Sequence, residues 1–517
     1  MAPTEVEPAA TDESSTALPT DTLAGSVLLL LVLTVVQRLV GFLRGLLFCR
    51  WLDPVELGEW DVIFAFLELA APVAVLGIPG SFGRYVEHYR QRGQLRTFLR
   101  RTTTLVGLLI AVALLGMYFA APLFSQLIFG RGDEARLIYL TAGCLAAVIV
   151  HNAVGELFAA LRMFRVATVL QFAHALAFAA LGIALLHGWS LTASSVLAAY
   201  GGACALCALG ATMLLRKVWR ALPRRETPLA QSTLWGKLVP FAAWTWLANW
   251  LTNLFVITDR YMILHTSGLP PEEALALVGQ YHSSRVLPVM LVSVAGLFAT
   301  LVVPHLSHDW EAGRRREVSK KMLLTMKLSG LAMLAAATGI HLLAPWLFQL
   351  AFDDKYTLGL NVLPGTLLYC TWFALVTVVQ CYLWCAERAR LSSVGLGLGV
   401  VVNVALNLFL LPRFGLVGAV TATVAANGIA LVAIYWFCHN LGMGVDRGLC
   451  VITAAPLTLC LPPLYSLLFL VALGVAAVVT DWIINRDEKL RLAPVAAEYA
   501  ARLRRIMRRS DTATKPF

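Results

Sequence analysis

Ala160-Leu161-Arg162-Met163-Phe164-Arg165 opens a stretch that runs through Leu185-Leu186-His187-Gly188-Trp189 to Tyr200-Gly201-Gly202-Ala203. Cys385-Ala386-Glu387-Arg388-Ala389-Arg390 opens a second, through Leu410-Leu411-Pro412-Arg413-Phe414 to Ala425-Ala426-Asn427-Gly428. The two align without a gap about 225 residues apart, a period far beyond the roughly 20–50 residues of a solenoid unit. Such a period marks a duplicated half-protein, and duplicated membrane halves build secondary transporters.

Composition agrees. The chain is 59% hydrophobic and 14% charged, where soluble domains carry about 25% charged residues. About fourteen stretches are long and apolar enough to span a bilayer as helices, the last two being short pieces around Pro462-Pro463. The expected fold is an all-α polytopic membrane protein. Its parts would be a disordered cytoplasmic tail (1–22), an N-lobe of helices 1–6 (23–215), a cytoplasmic linker (216–237), a C-lobe of helices 7–12 (238–438), helices 13–14 (449–484) and a basic cytoplasmic tail (485–517).

Charge sets the orientation. With the N-terminus cytoplasmic, most of the 41 Lys and Arg fall in inside loops and the C-terminal tail, the positive-inside asymmetry. The net charge of +11 is then a topology signal. No folded basic module argues for nucleic acid. The acidic N-terminus lacks the positive n-region of a secretory signal. Val495, Tyr499, Leu503 and Ile506 recur at helical spacing among arginines, a pattern that suits either a helix on an anionic leaflet or a solvated tail.

Several motifs invite chemistry that their context does not support. Cys204-x-x-Cys207 has redox spacing but lies in an apolar helix, where structural thiols are expected. Gly395-x-Gly-x-Gly399 follows no strand and lies in a span, where small residues permit close packing. Asp353-Asp354 is a single acidic pair on a short outside loop, expected to be a solvated turn. Glu156, His151 and His174 are expected to be structural. No metal site and no cofactor are expected.

Charges inside spans are costly and mark pathways or cavities. The first helix carries Gln37, Arg38 and Arg44; the second, Asp61 and Glu68; the seventh, Trp246, Asn249, Asn253, Asp259 and Arg260; the eighth, Tyr281 and Arg285. These are the first two helices of each half. Arg38, Arg44, Arg260 and Arg285, with Trp246, Asn249, Asn253 and Tyr281, form a candidate substrate set. Arginine forks suit phosphate oxygens, and aromatic faces suit sugar rings. Asp61, Glu68 and Asp259 are candidate gate or coupling residues. The alternatives are snorkelling of Arg44 and Arg260 and a structural Arg38–Glu68 pair.

The order of Gln37-Arg38-Leu39-Val40-Gly41-Phe42-Leu43-Arg44, Leu57-Gly58-Glu59-Trp60, Asp259-Arg260-Tyr261, Val278-Gly279-Gln280-Tyr281, Pro304-His305-Leu306-Ser307 and Pro412-Arg413-Phe414-Gly415-Leu416-Val417-Gly418-Ala419 resembles exporters of the multidrug/oligosaccharidyl-lipid/polysaccharide superfamily. The resemblance implies two six-helix lobes around a central cavity plus two C-terminal helices. It further implies alternating-access export of an undecaprenyl-diphosphate-linked oligosaccharide (O-antigen, capsule or exopolysaccharide unit) across the cytoplasmic membrane, with both termini inside. The lipid II flippase branch, whose first helix also carries paired arginines, is the nearest alternative; the multidrug branch suits an arginine-lined cavity less. Coupling to H⁺ or Na⁺ through Glu68 or Asp259 and contact with other polysaccharide-assembly proteins are expected. The rival class is a membrane enzyme of polysaccharide assembly, but the outside loops are short for a catalytic domain, so no enzymatic activity is expected.

Overall fold

The computed structural model describes residues 23–222 and 230–492. The expected tails at 1–22 and from 493 onward, and the side chain of Asn249, lie outside the described residues. In chain order the helices are α1 (Leu23–Trp51), α2 (Pro54–Ala74), α3 (Phe82–Gln91), α4 (Leu95–Phe119), α5 (Ala121–Phe129), α6 (Ala135–Ala160), α7 (Phe164–Gly188), α8 (Ala193–Ala221), α9 (Gln231–Thr266), α10 (Pro271–Arg285), α11 (Val289–Glu311), α12 (Arg315–Phe352), α13 (Thr357–Cys385), α14 (Ala389–Asn440), α15 (Arg447–Ala454) and α16 (Pro463–Val479). Short 3₁₀ helices at Ile78–Ser81 and Ala455–Cys460 complete the set. Among the described residues there is no strand.

Nine of these helices are long and apolar enough to cross a membrane, and α2 with the bent Ile78–Gln91 segment would make a tenth. α14 holds two spans. Its 52 residues would measure about 78 Å if straight, more than twice a hydrocarbon core. The chain instead reverses at Gly415, whose φ of 55° and ψ of −136° are not helical. Asn403 Nδ2, twelve residues before the turn, donates to Thr423 Oγ1 eight residues after it, at 3.3 Å. The arms close on small residues. A Cβ on Gly395 would lie 2.6 Å from Ile434 Cγ1, and one on Gly399 would lie 3.1 Å from Ala430 Cβ. The Gly395–Gly399 run therefore serves helix packing.

The duplication is written in the helix caps. α6 ends with Arg162 at φ 62° and α13 ends with Glu387 at φ 56°, 225 positions on. Both close the same two-bond left-handed cap: Met163 N–H to Phe158 C=O and Arg162 N–H to Ala159 C=O in one, Arg388 N–H to Leu383 C=O and Glu387 N–H to Trp384 C=O in the other. A second pair lies upstream at an offset of 220. Gln94 bonds Tyr89 and Gly93 bonds Arg90; Arg314 bonds Asp309 and Gly313 bonds Trp310. The repeat thus reaches from α3–α4 and α11–α12 onward, with five residues of slippage that hid its first part from the sequence.

The chain divides into two compact units, residues 1–41 with 63–250, and 42–62 with 251–517. The expected lobe boundaries differ from this division: α1, α2 and α9 each begin in one unit and end in the other. Residues 42–62 are counted with the second unit because they pack directly on it. A Cβ on Gly58 would lie 1.9 Å from Leu275 O, and one on Gly279 would lie 1.9 Å from Pro54 O. Lys355 Nζ donates to Arg50 O at 2.9 Å, and Tyr356 Oη donates to Leu52 O at 3.1 Å. These bonds satisfy carbonyls that the end of α1 leaves free.

Polarity is arranged as in lipid. Leu108, Val112 and Leu115 on α4, and Leu464, Leu468, Val471 and Val475 on α16, form exposed apolar stripes. Within the second unit Asp61, Asp259, Arg260, Arg285 and Lys327 are buried. α15 with its 3₁₀ extension and α16 are the two short helices expected around Pro462-Pro463. Their ends are fixed by Lys327, a fully buried lysine of α12 that meets Asp446 Oδ2 at 2.5 Å and Glu488 Oε2 at 2.8 Å. Asp446 also caps α15, accepting from Leu449 N–H. Gly330 lets this hairpin approach α12, since a Cβ there would lie 2.3 Å from Ile452 Cγ2.

Candidate functional site

Asp61, on the part of α2 that belongs to the second unit, is 1% exposed and is the centre of a buried ionic cluster. Its Oδ2 lies 3.0 Å from Arg260 Nε and 4.0 Å from Arg285 Nη1, and its Oδ1 lies 2.7 Å from His282 Nδ1. α9 supplies Arg260. α10 supplies His282 and Arg285, and Arg285 also sits over the Tyr281 ring at 5.2 Å. Two guanidinium groups share one carboxylate, so the cluster carries surplus positive charge even with a neutral imidazole. Arg260 Nη1 and Arg285 Nη1 are buried and have no hydrogen-bond partner among the described residues. Burying such donors is expensive, and native proteins tolerate it where function requires it.

The neighbour of Arg260 points elsewhere. Asp259 enters a pocket of neutral polar groups between α10 and the arms of α14. Its Oδ1 accepts from Asn403 Nδ2 at 2.9 Å and Asn407 Nδ2 at 3.2 Å; its Oδ2 accepts from Thr423 Oγ1 at 2.7 Å and Tyr281 Oη at 2.8 Å. A second phenol, Tyr369 Oη, lies 3.0 Å from Tyr281 Oη. The two α14 arms bring Asn403, Asn407 and Thr423 to one point because the Gly415 reversal faces them together. Every group around this carboxylate is an oxygen or an amide, and turning either Asn amide would present a further hard oxygen.

The other sequence candidates are distributed as follows. Arg44 is half-buried, 5.9 Å from the Phe48 ring centroid. Arg38 and Glu68 are exposed and belong to the first unit, as does Trp246, whose ring stacks on Trp250 at 6.0 Å. Asn253 is half-buried in the second unit. Arg260, Arg285 and Tyr281 were expected to face substrate; in this conformation all three are buried, the arginines on Asp61 and the phenol on Asp259. His151 and His174 have ring centroids 4.7 Å apart, with Cys204 Sγ 3.3 Å from His174 Nε2. Asp353 and Asp354 occupy a left-handed turn after α12, and both are exposed. Among the described residues no group of three or more His, Cys, Asp or Glu could hold a metal.

Sequence reasoning missed His282, Asn403, Asn407, Thr423 and Tyr369. Its candidates all lie in the first two helices of each half, although Asn403 and Asn407 lie one turn apart in an otherwise apolar stretch. That spacing was the available signal.

A duplicated, all-helical membrane chain that buries ion clusters within its spans has the architecture of a membrane transporter. Residues 23–310 match the family model described as polysaccharide biosynthesis protein, more than half of the chain, and the chain belongs to that family. It is 22% identical over 403 residues to the lipid II flippase MurJ of Bacillus subtilis (strain 168), covering 71% of this chain and 72% of that one. It is 23% identical over 386 residues to the membrane protein YabM of the same organism, covering 71% and 70%. Among solved structures, a lipid II flippase MurJ in an inward closed conformation superposes with a TM-score of 0.68 at 12% identity, covering 87% of this chain and 98% of that one. An inward-facing MATE multidrug transporter of the MOP superfamily gives 0.61 at 14%, covering 78% and 95%. The fold is therefore that of the multidrug/oligosaccharidyl-lipid/polysaccharide superfamily.

Proposed function

We propose that this protein is a flippase for an undecaprenyl-diphosphate-linked oligosaccharide, a repeat unit of a surface polysaccharide, in the cytoplasmic membrane, with both termini cytoplasmic. The observation that carries the substrate class is the surplus of arginine over carboxylate at Asp61, Arg260 and Arg285, with buried guanidinium N–H groups to spare. An anionic diphosphate complements that surplus, and a cationic drug does not. In the conformation described, residues 42–62 close on the second unit around this cluster. Transport requires them to separate so that the head group passes, its diphosphate met in turn by Arg38, Arg44, Arg260 and Arg285, while the lipid tail stays in the bilayer.

Coupling is assigned to Asp259. Its ring of neutral oxygen and amide groups suits a co-transported Na⁺ or H⁺; Glu68 is exposed.

A second reading, transport of lipid II, is favoured by the match to MurJ in sequence and in fold. Both readings share the anionic polyprenyl diphosphate. Proteoliposomes loaded with labelled undecaprenyl-diphosphate oligosaccharide or with lipid II separate them. The oligosaccharide is expected to move in a protein-dependent manner, and Arg38→Ala or Arg44→Ala to slow it about 10- to 100-fold, the loss of one charge-assisted contact. Preference for lipid II would select the second reading. Movement of neither lipid would reject both.

A further inference from the structure

We propose that Tyr281 is the positioning residue that couples the Asp259 pocket to the Asp61 cluster, so that cation occupancy at the first sets the closure of the second. This rests on the reading of Asp259 as the coupling residue.

The geometry has two outputs from two helices. On α9 the adjacent residues Asp259 and Arg260 diverge, one into the polar pocket and one onto Asp61. On α10, Tyr281 and Arg285 are one turn apart and share a face; Tyr281 goes to Asp259, and Arg285 goes to Asp61. The two destinations are joined through the Tyr281 side chain itself. Its ring carries the Arg285 guanidinium at 5.2 Å, and its hydroxyl meets Asp259 Oδ2 at 2.8 Å.

A phenol has one proton. While Asp259 is a free carboxylate, that proton goes to Oδ2, and Tyr281 accepts from Tyr369. When a proton or Na⁺ occupies the carboxylate, Oδ2 ceases to be the better acceptor, and the Tyr281 hydroxyl is released from Asp259 while keeping its contact with Tyr369 Oη at 3.0 Å, where it can donate once the Tyr369 hydroxyl turns its own proton away. Loss of the Asp259 contact frees the Tyr281 side chain to shift toward Tyr369, and the ring face that holds Arg285 shifts with it. Arg285 is the weaker of the two arginine contacts to Asp61, at 4.0 Å against 3.0 Å. It is the one that a small ring displacement can make or break.

The test uses the full chain in proteoliposomes with Cys49 as its only cysteine. Cys49 is fully buried on α1 in the segment that closes on the second unit. The readout is its labelling by an impermeant maleimide, with Na⁺ stepped at constant pH and then pH stepped, each rate at a new pH being divided by that of a fully exposed cysteine variant at the same pH, because the thiolate fraction itself rises with pH. In the parent, one of these cations is expected to change the labelling rate at least about fivefold, the lower end of ordinary allosteric coupling. Tyr281→Phe keeps the ring and its cation–π contact but loses the hydroxyl, and its response is expected to fall below about twofold. Thermal stability and oligosaccharide binding at fixed cation serve as structural controls. If Tyr281→Phe does not assemble, Tyr369→Phe removes the alternative acceptor and is expected to blunt the response in the same sense. A parent-like response in either assembled variant, with Asp259→Asn unresponsive, overturns the relay and leaves the cation site standing. A parent that responds to neither cation overturns the cation site, and the relay with it.

Discussion

Asp61→Asn is expected to cut lipid transport at least about tenfold while the protein still inserts and accumulates in the membrane. Removing one partner of a buried ion pair costs about 3–5 kcal/mol, because the other charge stays buried without compensation. Here two guanidinium groups lose the carboxylate they share. The penalty falls on the arrangement in which residues 42–62 lie against the second unit, since Asp61 enters the cluster from that segment. About 2.8 kcal/mol is already a hundredfold change in an equilibrium, so the closed arrangement would become a minor state. Asp61→Glu restores the charge on a side chain one methylene too long for the cluster, and should recover part of the activity. The measurement is transport together with Cys49 labelling by an impermeant maleimide, which should rise as transport falls. Parent-like transport in Asp61→Asn at equal protein would refute the cluster's role as a lock.

Gly58→Ala and Gly279→Ala should each have an effect of similar size by a different route. Alanine in place of glycine inside a helix ordinarily stabilises it by roughly 0.5–1 kcal/mol. At these two positions a Cβ would sit 1.9 Å from a backbone oxygen of the opposing segment, Leu275 in one case and Pro54 in the other. Neither oxygen belongs to a side chain that can turn away, so the helices must part. Overpacking of this kind costs about 1–3 kcal/mol and often more against backbone, which exceeds the propensity gain. Gly296→Ala on α11, where a Cβ meets nothing within 4 Å, supplies the control and should be neutral or mildly stabilising. The readouts are again transport and Cys49 exposure. Unchanged values in both Gly58→Ala and Gly279→Ala would mean that this contact does not form in the membrane.

Much of the architecture was legible in the chain because lipid imposes long apolar spans and because the second copy of the 160–203 stretch preserves its spacing. The caps at Arg162 and Glu387 show why: each residue takes a left-handed turn that fixes where one span ends and the next begins. The upstream copy was not legible. Its offset shifts by five residues, and the paired caps at Gly93 and Gly313 share backbone geometry more than side chains. The charged set in the first two helices of each half was readable because charge in a span stands out. Its pairing was not. Nothing in the spacing of Asp259 and Arg260 says that neighbours on one helix serve separate pockets, and the two spans readable on either side of Pro412 to Gly415 do not say that Asn403, Asn407 and Thr423 converge.

In the proposed transport cycle residues 42–62 close on the rest of the second unit and leave it once per turnover. Arg50 and Asp354 are both exposed, and the bond from Lys355 Nζ to Arg50 O places their segments side by side. Cysteines at these two positions, in a protein otherwise free of cysteine, can be bridged by a short, reductant-cleavable bifunctional thiol reagent. The account predicts that the bridge forms readily in the resting protein, stops transport of the lipid-linked oligosaccharide, and releases it again on reduction. Transport that continues at the unbridged rate with the bridge quantitatively formed would contradict it.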